Sequence, residues 1–384
     1  MIPRLLINET REAAKDFKII CITGPRQSGK TTLCRQEFGD KPYVSLEDPN
    51  EAAQAQQDGR AFLARFKNGA VLDEVQRVPQ LFNYLQRVVD EKNRNGQFVL
   101  TGSSNFLMQQ NISQSLAGRA GYIELLPFSL AELKKAKVKE RSLEQAILEG
   151  SYPAIVTGAS TANRWLDSYI KTYVERDVRM IRNIDNIITF SKFLGLCADR
   201  AGQLLNVNNL ANEVGVDNKT INSWLGVLES SYILFRLPPY YKNFGKRLIK
   251  SPKLYFYDTG VLCRLLGIHT VAGLKKSNHY GAIFENMMLS EIMKNRFNKE
   301  QTGKVYFFRD SSGREIDVVL EKEEELMPLE IKASAKTDPG GLNSLKWFQK
   351  TFRQQGGILL QGGRQERSFD NEIRQVGWES VAGI

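Results

Sequence analysis

The sequence predicts an α/β fold, and three segments in its first third carry that prediction. Residues 18–23 form an apolar run before a glycine-rich loop, residues 70–74 form an apolar run that ends in two carboxylates, and residues 97–105 form one that ends in small polar residues. Short apolar runs of this kind are typical of buried strands. Because α/β sheets bind ligands at the carboxyl ends of their strands, we expect one site at these three ends.

The loop from Gly24 to Thr31 has the pattern G-x4-G-K-[ST], which is typical of phosphate binding. The glycines let backbone N–H groups turn toward the phosphates, Lys30 reaches the β- and γ-phosphates, and the Thr31 hydroxyl ligates Mg²⁺. A following helix would direct its positive dipole end at the phosphates. The sequence therefore predicts binding of a nucleoside triphosphate, expected to be ATP with Mg²⁺. The expected binding residues in this loop are Gly24, Pro25, Arg26, Gln27, Ser28, Gly29, Lys30, Thr31 and Thr32.

The two carboxylates at the second run predict hydrolysis as well as binding. Asp73 is expected to hold Mg²⁺ through water, and Glu74 to orient and polarise the attacking water. In the third run, Ser103 or Ser104 would lie beside the γ-phosphate and respond to it. The alternative for these serines is an N-cap of the next helix, and the sequence leaves both interpretations open.

The order of these motifs is specific. The loop at 24–31, LDEVQ at 72–76, LTGSS at 100–104, LAGR at 116–119 and LLPFS at 125–129 together resemble the prokaryotic AAA-type ATPases that carry a conserved C-terminal domain of unassigned function. The resemblance covers nearly the whole chain and implies an AAA-type α/β core with ATP bound between subunits of a homo-oligomer. It also implies that Arg119 is an arginine finger supplied in trans. Arg176 and Arg179 are rival candidates, although their spacing also suits ion pairs along a helix.

Composition indicates the number of domains, and net charge indicates the class of binding partner. The chain has 384 residues, 42% of them hydrophobic, which suits two or three domains with a core in each. Its net charge of +10 favours a polyanionic partner, and we expect nucleic acid, DNA in particular; a merely basic protein is the alternative.

Cysteine spacing and hydropathy indicate the cellular compartment in which the protein is expected. Four scattered cysteines without a C-x-x-C pair predict buried thiols of a reducing compartment rather than a zinc site or disulfides. No run approaches the roughly 18 apolar residues of a membrane span, so a cytoplasmic protein without a membrane partner is expected.

Residues 204–237 have the pattern of a winged helix-turn-helix. A short helix at 207–214, a turn at Gly215, a second helix at 217–228 and a strand at 231–237 are expected. The second helix has an apolar face made of Ile221, Trp224, Leu225 and Leu228. Lys219, Thr220 and Asn222 would lie at its exposed start, where bases or phosphates are contacted; a protein–protein platform is the alternative.

The next segment, residues 240–250, mixes aromatic with basic residues. This mixture, with Lys246, Arg247 and Lys250 among the basic side chains, suits phosphates and stacked bases. A solvated linker has the same composition, and the sequence leaves that alternative open.

The last third of the chain combines a glutamate in a helix with charged residues on strands. A helix is expected at 282–297, with Glu285 near its start, followed by strands at 304–309, 315–320 and 328–333. Asp317 lies in the second strand, and Glu330 and Lys332 lie on one face of the third because side chains alternate along a strand.

This set resembles the core of the PD-(D/E)xK nuclease superfamily, with Ile316 in place of the proline. The resemblance implies that Asp317 and Glu330 hold a divalent metal, Mg²⁺ or Mn²⁺, which activates water and neutralises the scissile phosphate. Lys332 would orient or deprotonate that water or stabilise charge on the phosphate, and Glu285 would add a metal ligand through water.

The expected organisation is an AAA-type P-loop ATPase domain at 1–145, a helical region with the winged helix at 146–250, and an α/β restriction-endonuclease-like domain at 251–384. The function expected from the sequence is ATP hydrolysis coupled to nucleic-acid engagement, with metal-dependent nuclease chemistry at the C-terminal domain. The alternative is an ATP-dependent regulatory switch that binds DNA or a protein and cuts nothing.

Overall fold

The structure is a computed structural model that describes residues 2–92, 94–102, 116–172, 186–240, 250–299, 303–322 and 325–384. It divides into two compact units. The first consists of Met1–Phe128, Ser230–Tyr232 and Arg296–Glu300, and the second of Ser129–Glu229, Ile233–Asn295 and Gln301–Ile384. The three domains expected from the sequence stay a prediction.

The first unit is built on a parallel five-stranded sheet. Its strands are β1 (Ile19–Thr23), β2 (Tyr43–Ser45), β3 (Ala70–Asp73), β4 (Phe98–Gly102) and β5 (Ala120–Glu124), in the order β2-β3-β4-β1-β5. Each neighbouring pair is parallel, and the register pairs Thr23 with Gly102 and with Glu124. The carboxyl ends therefore meet at one edge, and the α/β class with a parallel sheet is confirmed.

Both faces of this sheet are buried, which explains why its strands are continuous apolar runs. Along β1, Ile19 and Cys21 belong to one hydrophobic cluster, while Ile20 and Ile22 belong to the other. This alternation is the two-residue period of a strand. The described helices that surround the sheet are Ile7–Asp16, Lys30–Glu37, Pro49–Gln57, Gly59–Ala64 and Leu81–Lys92.

The second unit begins with helices and a short antiparallel pair of strands, β6 (Leu234–Leu237) and β7 (Lys253–Phe256). Its described helices up to β6 are Leu130–Lys135, Leu143–Glu149, Pro153–Val156, Ala162–Thr172, Ile187–Asp199, Val207–Val214 and Asn218–Ser230. The helix pair at 207–230 and the apolar face of its second helix are confirmed. The expected strand at 231–237 starts only at Leu234, because Tyr232 has a φ of 57°, which lies outside the strand region.

A six-stranded mixed sheet completes the second unit. Its strands are β8 (Lys304–Arg309), β9 (Glu315–Lys322), β10 (Glu325–Lys332), β11 (Gly357–Gln361), β12 (Arg367–Phe369) and β13 (Ile373–Gly377), in the order β12-β13-β11-β10-β9-β8. Strands β8 to β10 form an antiparallel meander, and β11 pairs parallel with β10 after the helix Pro339–Phe352. The structure also describes the helices Thr259–Leu265, Val271–Lys276 and Tyr280–Asn298.

The structure also describes the cysteines and the hydropathy of the helices. All four cysteines are free and buried, as expected, and burial raises the pKa of the Cys34 and Cys263 thiols to about 12. Such thiols stay protonated and unreactive. Among the described residues, no helix combines the length and the apolar character that crossing a bilayer requires.

Candidate nucleotide site and C-terminal charged cluster

The glycine-rich loop leaves β1 and leads into the helix Lys30–Glu37, as the sequence predicts. Its backbone has positive φ values at Gly24 (148°), Gln27 (60°) and Gly29 (101°), the last as the N-cap of that helix. A side chain at Gly24 would place its Cβ 2.1 Å from the carbonyl oxygen of Leu125, so only glycine fits there. Left-handed residues within a loop at a helix start turn N–H groups inward and form a concave anion site.

The polar side chains of this loop fit a bound triphosphate. Lys30 is buried, which lowers the pKa of its amine, although the carboxylates of Glu74 and Asp73 oppose that shift. Its Nζ donates to the carbonyl oxygens of Gly24 at 2.9 Å and Pro25 at 2.8 Å. The buried Ser28 hydroxyl has no hydrogen-bond partner among the described residues. A buried cation held by carbonyls and an orphaned hydroxyl are what a phosphate would satisfy.

Asp73 ends β3 and is joined to two hydroxyl groups. The Thr101 hydroxyl donates to its Oδ1, and the Tyr43 hydroxyl donates to its Oδ2 at 2.5 Å. The Tyr43 oxygen also lies 3.3 Å from Thr31 Oγ1, so one phenol joins both residues that are predicted to hold Mg²⁺. Burial and then the bond to Asp73 raise the pKa of Tyr43. Sequence reasoning missed Tyr43 and Thr101, because contacts between strand ends appear only in the folded sheet.

Glu74 lies one residue beyond the end of β3, in a left-handed conformation with φ of 54°. This conformation is uncommon for a residue other than glycine and clusters at functional sites. Its Oε2 accepts a hydrogen bond from the Gln76 amide, which holds the carboxylate near the strand end. The arrangement agrees with the predicted role of Glu74 toward water, which stays a prediction.

Arg119 lies at the amino end of the strands, whereas the loop lies at their carboxyl end. Its carbonyl accepts from the N–H of Ile19, the first residue of β1, whereas the loop follows the last. Its guanidinium binds Asp90 in a bidentate pair, with Nε at 2.7 Å and Nη2 at 2.8 Å, and this hydrogen bonding lowers the pKa of Asp90. With about 3.3 Å per residue along β1, Arg119 is too far to contact this chain's own phosphate site.

In the second unit, Asp317, Glu330 and Lys332 lie together on β9 and β10. Lys332 Nζ is 2.8 Å from Glu330 Oε2 and 3.3 Å from Asp317 Oδ2, and the Ile331 N–H donates to the same Asp317 oxygen at 2.8 Å. Both carboxylates are buried. Burial, then the neighbouring Asp317 charge, raises the pKa of Glu330 to about 8. Two buried carboxyl groups therefore share one lysine.

Glu285 joins the same charged region through a different lysine. Its Oε1 accepts from the Tyr255 hydroxyl at 2.5 Å and from Lys253 Nζ at 3.3 Å, and Lys253 also pairs with Glu315. Burial, then the Asp317 charge, raises the pKa of Glu285. Burial alone would lower the pKa of Lys253, but Glu285 and Glu315 outweigh it and raise that pKa. Lys253 and Tyr255 carried no signal in the sequence, since they lie in an ordinary apolar strand.

Within the described ranges, no group of three or more histidine, cysteine, aspartate or glutamate side chains is arranged to hold a metal ion. The raised pKa of Glu330 and of Glu285 still fits a cation there, because added positive charge would favour the ionised carboxylates.

The candidate nucleic-acid residues are partly described. Lys219 and Asn222 are exposed and Thr220 is half-buried at the start of the helix Asn218–Ser230, where the Thr220 N–H donates to Asp217 at 2.7 Å. Lys250 is exposed. Two further nucleic-acid candidates, Lys246 and Arg247, lie outside the described residues. So do the γ-phosphate candidates Ser103 and Ser104, and Arg176 and Arg179, the rival candidates for the arginine finger.

Comparisons with known proteins agree with the fold of the first unit. A family described as AAA domain matches residues 16–134. Residues 140–272 match a Domain of unknown function (DUF8612), and residues 280–380 match a Domain of unknown function (DUF4143).

Relatives cover most of the chain. An uncharacterized protein of Mycobacterium tuberculosis is 30% identical over 329 residues, which are 85% of this chain and 72% of that protein. An uncharacterized protein of Haemophilus influenzae is 23% identical over 395 residues, with 94% of this chain and 93% of that protein covered. Among solved structures, the Walker-type ATPase of Pyrococcus abyssi has a TM-score of 0.46 at 12% identity, over 68% of this chain and 94% of that one.

The loop, the acidic strand end and the parallel sheet define an AAA-type P-loop ATPase, which binds and hydrolyses ATP. The chain belongs to the same family as the Mycobacterium tuberculosis relative, and its residues 16–134 match the AAA domain.

Proposed function

We propose that this ATPase engages DNA and carries a metal-dependent, nuclease-like site in its second unit. One observation carries the proposal: Lys332 Nζ lies 2.8 Å from Glu330 and 3.3 Å from Asp317, with both carboxylates buried on adjacent strands. Buried carboxylates are costly unless they serve chemistry or are fully paired, and here a single lysine faces two.

The chemistry of the ATP site follows from its own residues. Lys30 and the loop N–H groups would bind the phosphates, with Thr31 and Asp73 as the residues that hold Mg²⁺. Bound with the nucleotide, Mg²⁺ would neutralise charge on the β- and γ-phosphates. Glu74 would orient the attacking water and accept its proton, and its fixed left-handed backbone supports that position.

The topology of the second unit supports a restriction-endonuclease-like fold. A helix bearing Glu285 precedes three antiparallel strands, then a helix, then a strand parallel to the third. Asp317 and Glu330 would bind a divalent metal, Mg²⁺ or Mn²⁺, which would neutralise a phosphate and activate water. Lys332 would then turn from the carboxylates to the phosphate or the water, and Lys253 would keep Glu285 ionised.

The helix pair Val207–Val214 and Asn218–Ser230, with β6 and β7 after it, supports a winged helix. In that arrangement the exposed Lys219 and Asn222 would contact DNA. Lys246, Arg247 and Lys250 would add phosphate contacts, and a variant with all three changed to alanine should bind DNA more weakly and with a flatter salt dependence.

A cleavage assay tests the nuclease-like site. With Mg²⁺ or Mn²⁺, the protein should cut labelled single- or double-stranded DNA, and EDTA should stop the reaction. Lys332→Ala and Asp317→Ala should cut at least about 100-fold more slowly and retain ATP hydrolysis. Lys322→Ala, at the exposed end of β9, is the matched control and should cut normally.

A separate observation favours a second function, an ATP-dependent switch that cuts nothing. Lys332 pairs with both carboxylates and Lys253 pairs with Glu285 and Glu315, an arrangement that would balance part of the charge without a metal. DNA binding without metal-dependent cleavage in any nucleotide state would decide for the switch.

A homo-oligomer is also proposed, because Arg119 lies across the sheet from its own loop and would reach a phosphate only in a neighbouring subunit.

A further inference from the structure

The Tyr232 hydroxyl lies between the ends of two strands of the ATPase sheet. It donates to Glu124 Oε1 at 2.7 Å and lies 2.8 Å from Thr23 Oγ1. Thr23 is the last residue of β1 and Glu124 the last of β5, and Tyr232 and Thr23 are buried. One phenol therefore links the ends of the two strands that meet beneath the phosphate-binding loop.

The linked residues also contact the first residue of that loop through their backbone. The Leu125 N–H donates to the Thr23 carbonyl at 2.8 Å, and the Leu125 carbonyl packs so tightly on Gly24 that no side chain fits there. The direction in which the chain leaves β1 therefore depends on where the end of β5 is held. The Tyr232 hydroxyl bonds to both ends.

Tyr232 has an unfavourable backbone conformation at this position between the ends of β1 and β5. Its φ of 57° lies in the left-handed region, which is rare for an aromatic residue. Such a conformation persists where surrounding contacts over-determine it, and it clusters at functional positions. The carboxyl it meets is also unusual: burial raises the pKa of Glu124, and the hydrogen bond from Tyr232 opposes that rise.

The segment that supplies this hydroxyl lies outside the matched AAA domain. Residues 16–134 match that family, whereas Tyr232 is 209 residues from Thr23 along the chain. The chain enters the segment from the helix Asn218–Ser230 and leaves it toward β6.

We propose that Tyr232 is a positioning residue for ATP: its hydroxyl fixes the ends of β1 and β5 and so sets the geometry of the phosphate-binding loop. The proposal goes beyond the role in DNA engagement and does not depend on it. The loop of the AAA domain would then be completed by a residue from the helical part of the chain.

The test compares Tyr232→Phe with Tyr169→Phe in the full chain. Both variants lose one buried hydroxyl, and the Tyr169 hydroxyl bonds to that of Tyr152 at 3.0 Å in the second unit. In Tyr232→Phe, the KM and the equilibrium Kd for ATP should rise about tenfold, because the hydrogen bond to the Glu124 carboxyl no longer favours the loop geometry that binds the phosphates. The kcat at saturating ATP should stay within about threefold, because the loop binds the phosphates in the ground state and in the transition state alike.

A purely structural role predicts a different result. Tyr232→Phe would then lower the melting temperature of the nucleotide-free protein, and its KM for ATP would equal that of Tyr169→Phe. An unchanged KM and Kd in Tyr232→Phe, or an equal rise in Tyr169→Phe, would overturn the proposal.

A second variant protects the test against misfolding. Thr23→Val keeps the shape of the side chain and removes the other partner of the Tyr232 hydroxyl. It should raise the KM in the same direction, and the double variant should be no worse than the stronger single variant, because both act through one contact. Independent, multiplying effects of the two changes would contradict a shared role.

Discussion

The Tyr43 hydroxyl donates a 2.5 Å hydrogen bond to Asp73, the carboxylate at the end of β3. Because the same oxygen lies 3.3 Å from Thr31, this phenol lies between the two side chains predicted to hold Mg²⁺. We expect Mg²⁺ bound with ATP between Thr31 and Asp73 to compete with the Tyr43 hydroxyl for at least one of these contacts.

Tyr43→Phe should strengthen binding of ATP with Mg²⁺. Loss of a competing hydrogen bond to a charged group should lower the Mg²⁺ concentration for half-maximal ATP binding by roughly three- to tenfold. Titration with a fluorescent ATP analogue at fixed nucleotide and varied Mg²⁺ measures it. Tyr84→Phe, a partly buried tyrosine of the same unit, is the control and should leave the titration unchanged. Identical curves for wild type and Tyr43→Phe would refute the competition.

Lys30→Ala and Glu74→Gln should separate binding from hydrolysis. Lys30→Ala removes the buried cation of the loop and should abolish measurable ATP binding. Glu74→Gln should bind ATP as wild type does and hydrolyse it at least about 100-fold more slowly, because an amide accepts no proton from water. Nucleotide affinity and steady-state turnover are measured for both. Wild-type turnover in Glu74→Gln would show that Glu74 has another role.

Arg119→Ala should slow hydrolysis by about 1,000-fold if the arginine acts in trans, and should leave ATP affinity nearly unchanged. Its partner Asp90 is exposed, so loss of the pair has little effect on folding. Mixing Arg119→Ala with Lys30→Ala should restore part of the turnover, because some mixed interfaces contain one intact site. Co-assembly without any recovery would count against a shared site.

Glu330→Gln should stabilise the second unit at alkaline pH. Burial and Asp317 raise the pKa of Glu330 from 4.5 to about 8, so its stabilising contribution is complete below about pH 4.5 and is lost as the pH rises through 8. Glutamine keeps the neutral form at every pH. Urea unfolding should therefore find the variant equal to wild type near pH 4.5 and more stable by about 1 kcal/mol or more at pH 8.5.

The control for this effect is Glu325→Gln, an exposed glutamate of the same strand. It should alter the unfolding midpoint by the same small amount at both pH values. A stability gain in Glu330→Gln that is independent of pH would assign the effect to packing instead of charge.

Local sequence patterns predict the strands, the helices and the phosphate-binding loop. They do not predict the side-chain contacts that complete the nucleotide site. The apolar run of β1 and the glycines of the loop are recognisable because neighbours in sequence set strand burial and backbone turns. The Tyr43, Thr101 and Tyr232 hydroxyls reach the site from other strands or from 209 residues away, and no periodicity encodes such contacts. Strand β10 begins at Glu325, before the expected 328, because pairing of Glu325 with Lys322 extends the hairpin.

The division of the chain has a practical consequence for gene fragments. The unit that holds the ATP site is assembled from three separate stretches, Met1–Phe128, Ser230–Tyr232 and Arg296–Glu300. A truncated clone that stops at residue 128 or 145 would encode every residue of the phosphate-binding loop and omit the phenol that joins β1 to β5. If Tyr232 positions the loop as proposed, such a fragment would bind ATP more weakly than the intact protein, so the enzymology of this protein calls for the intact gene.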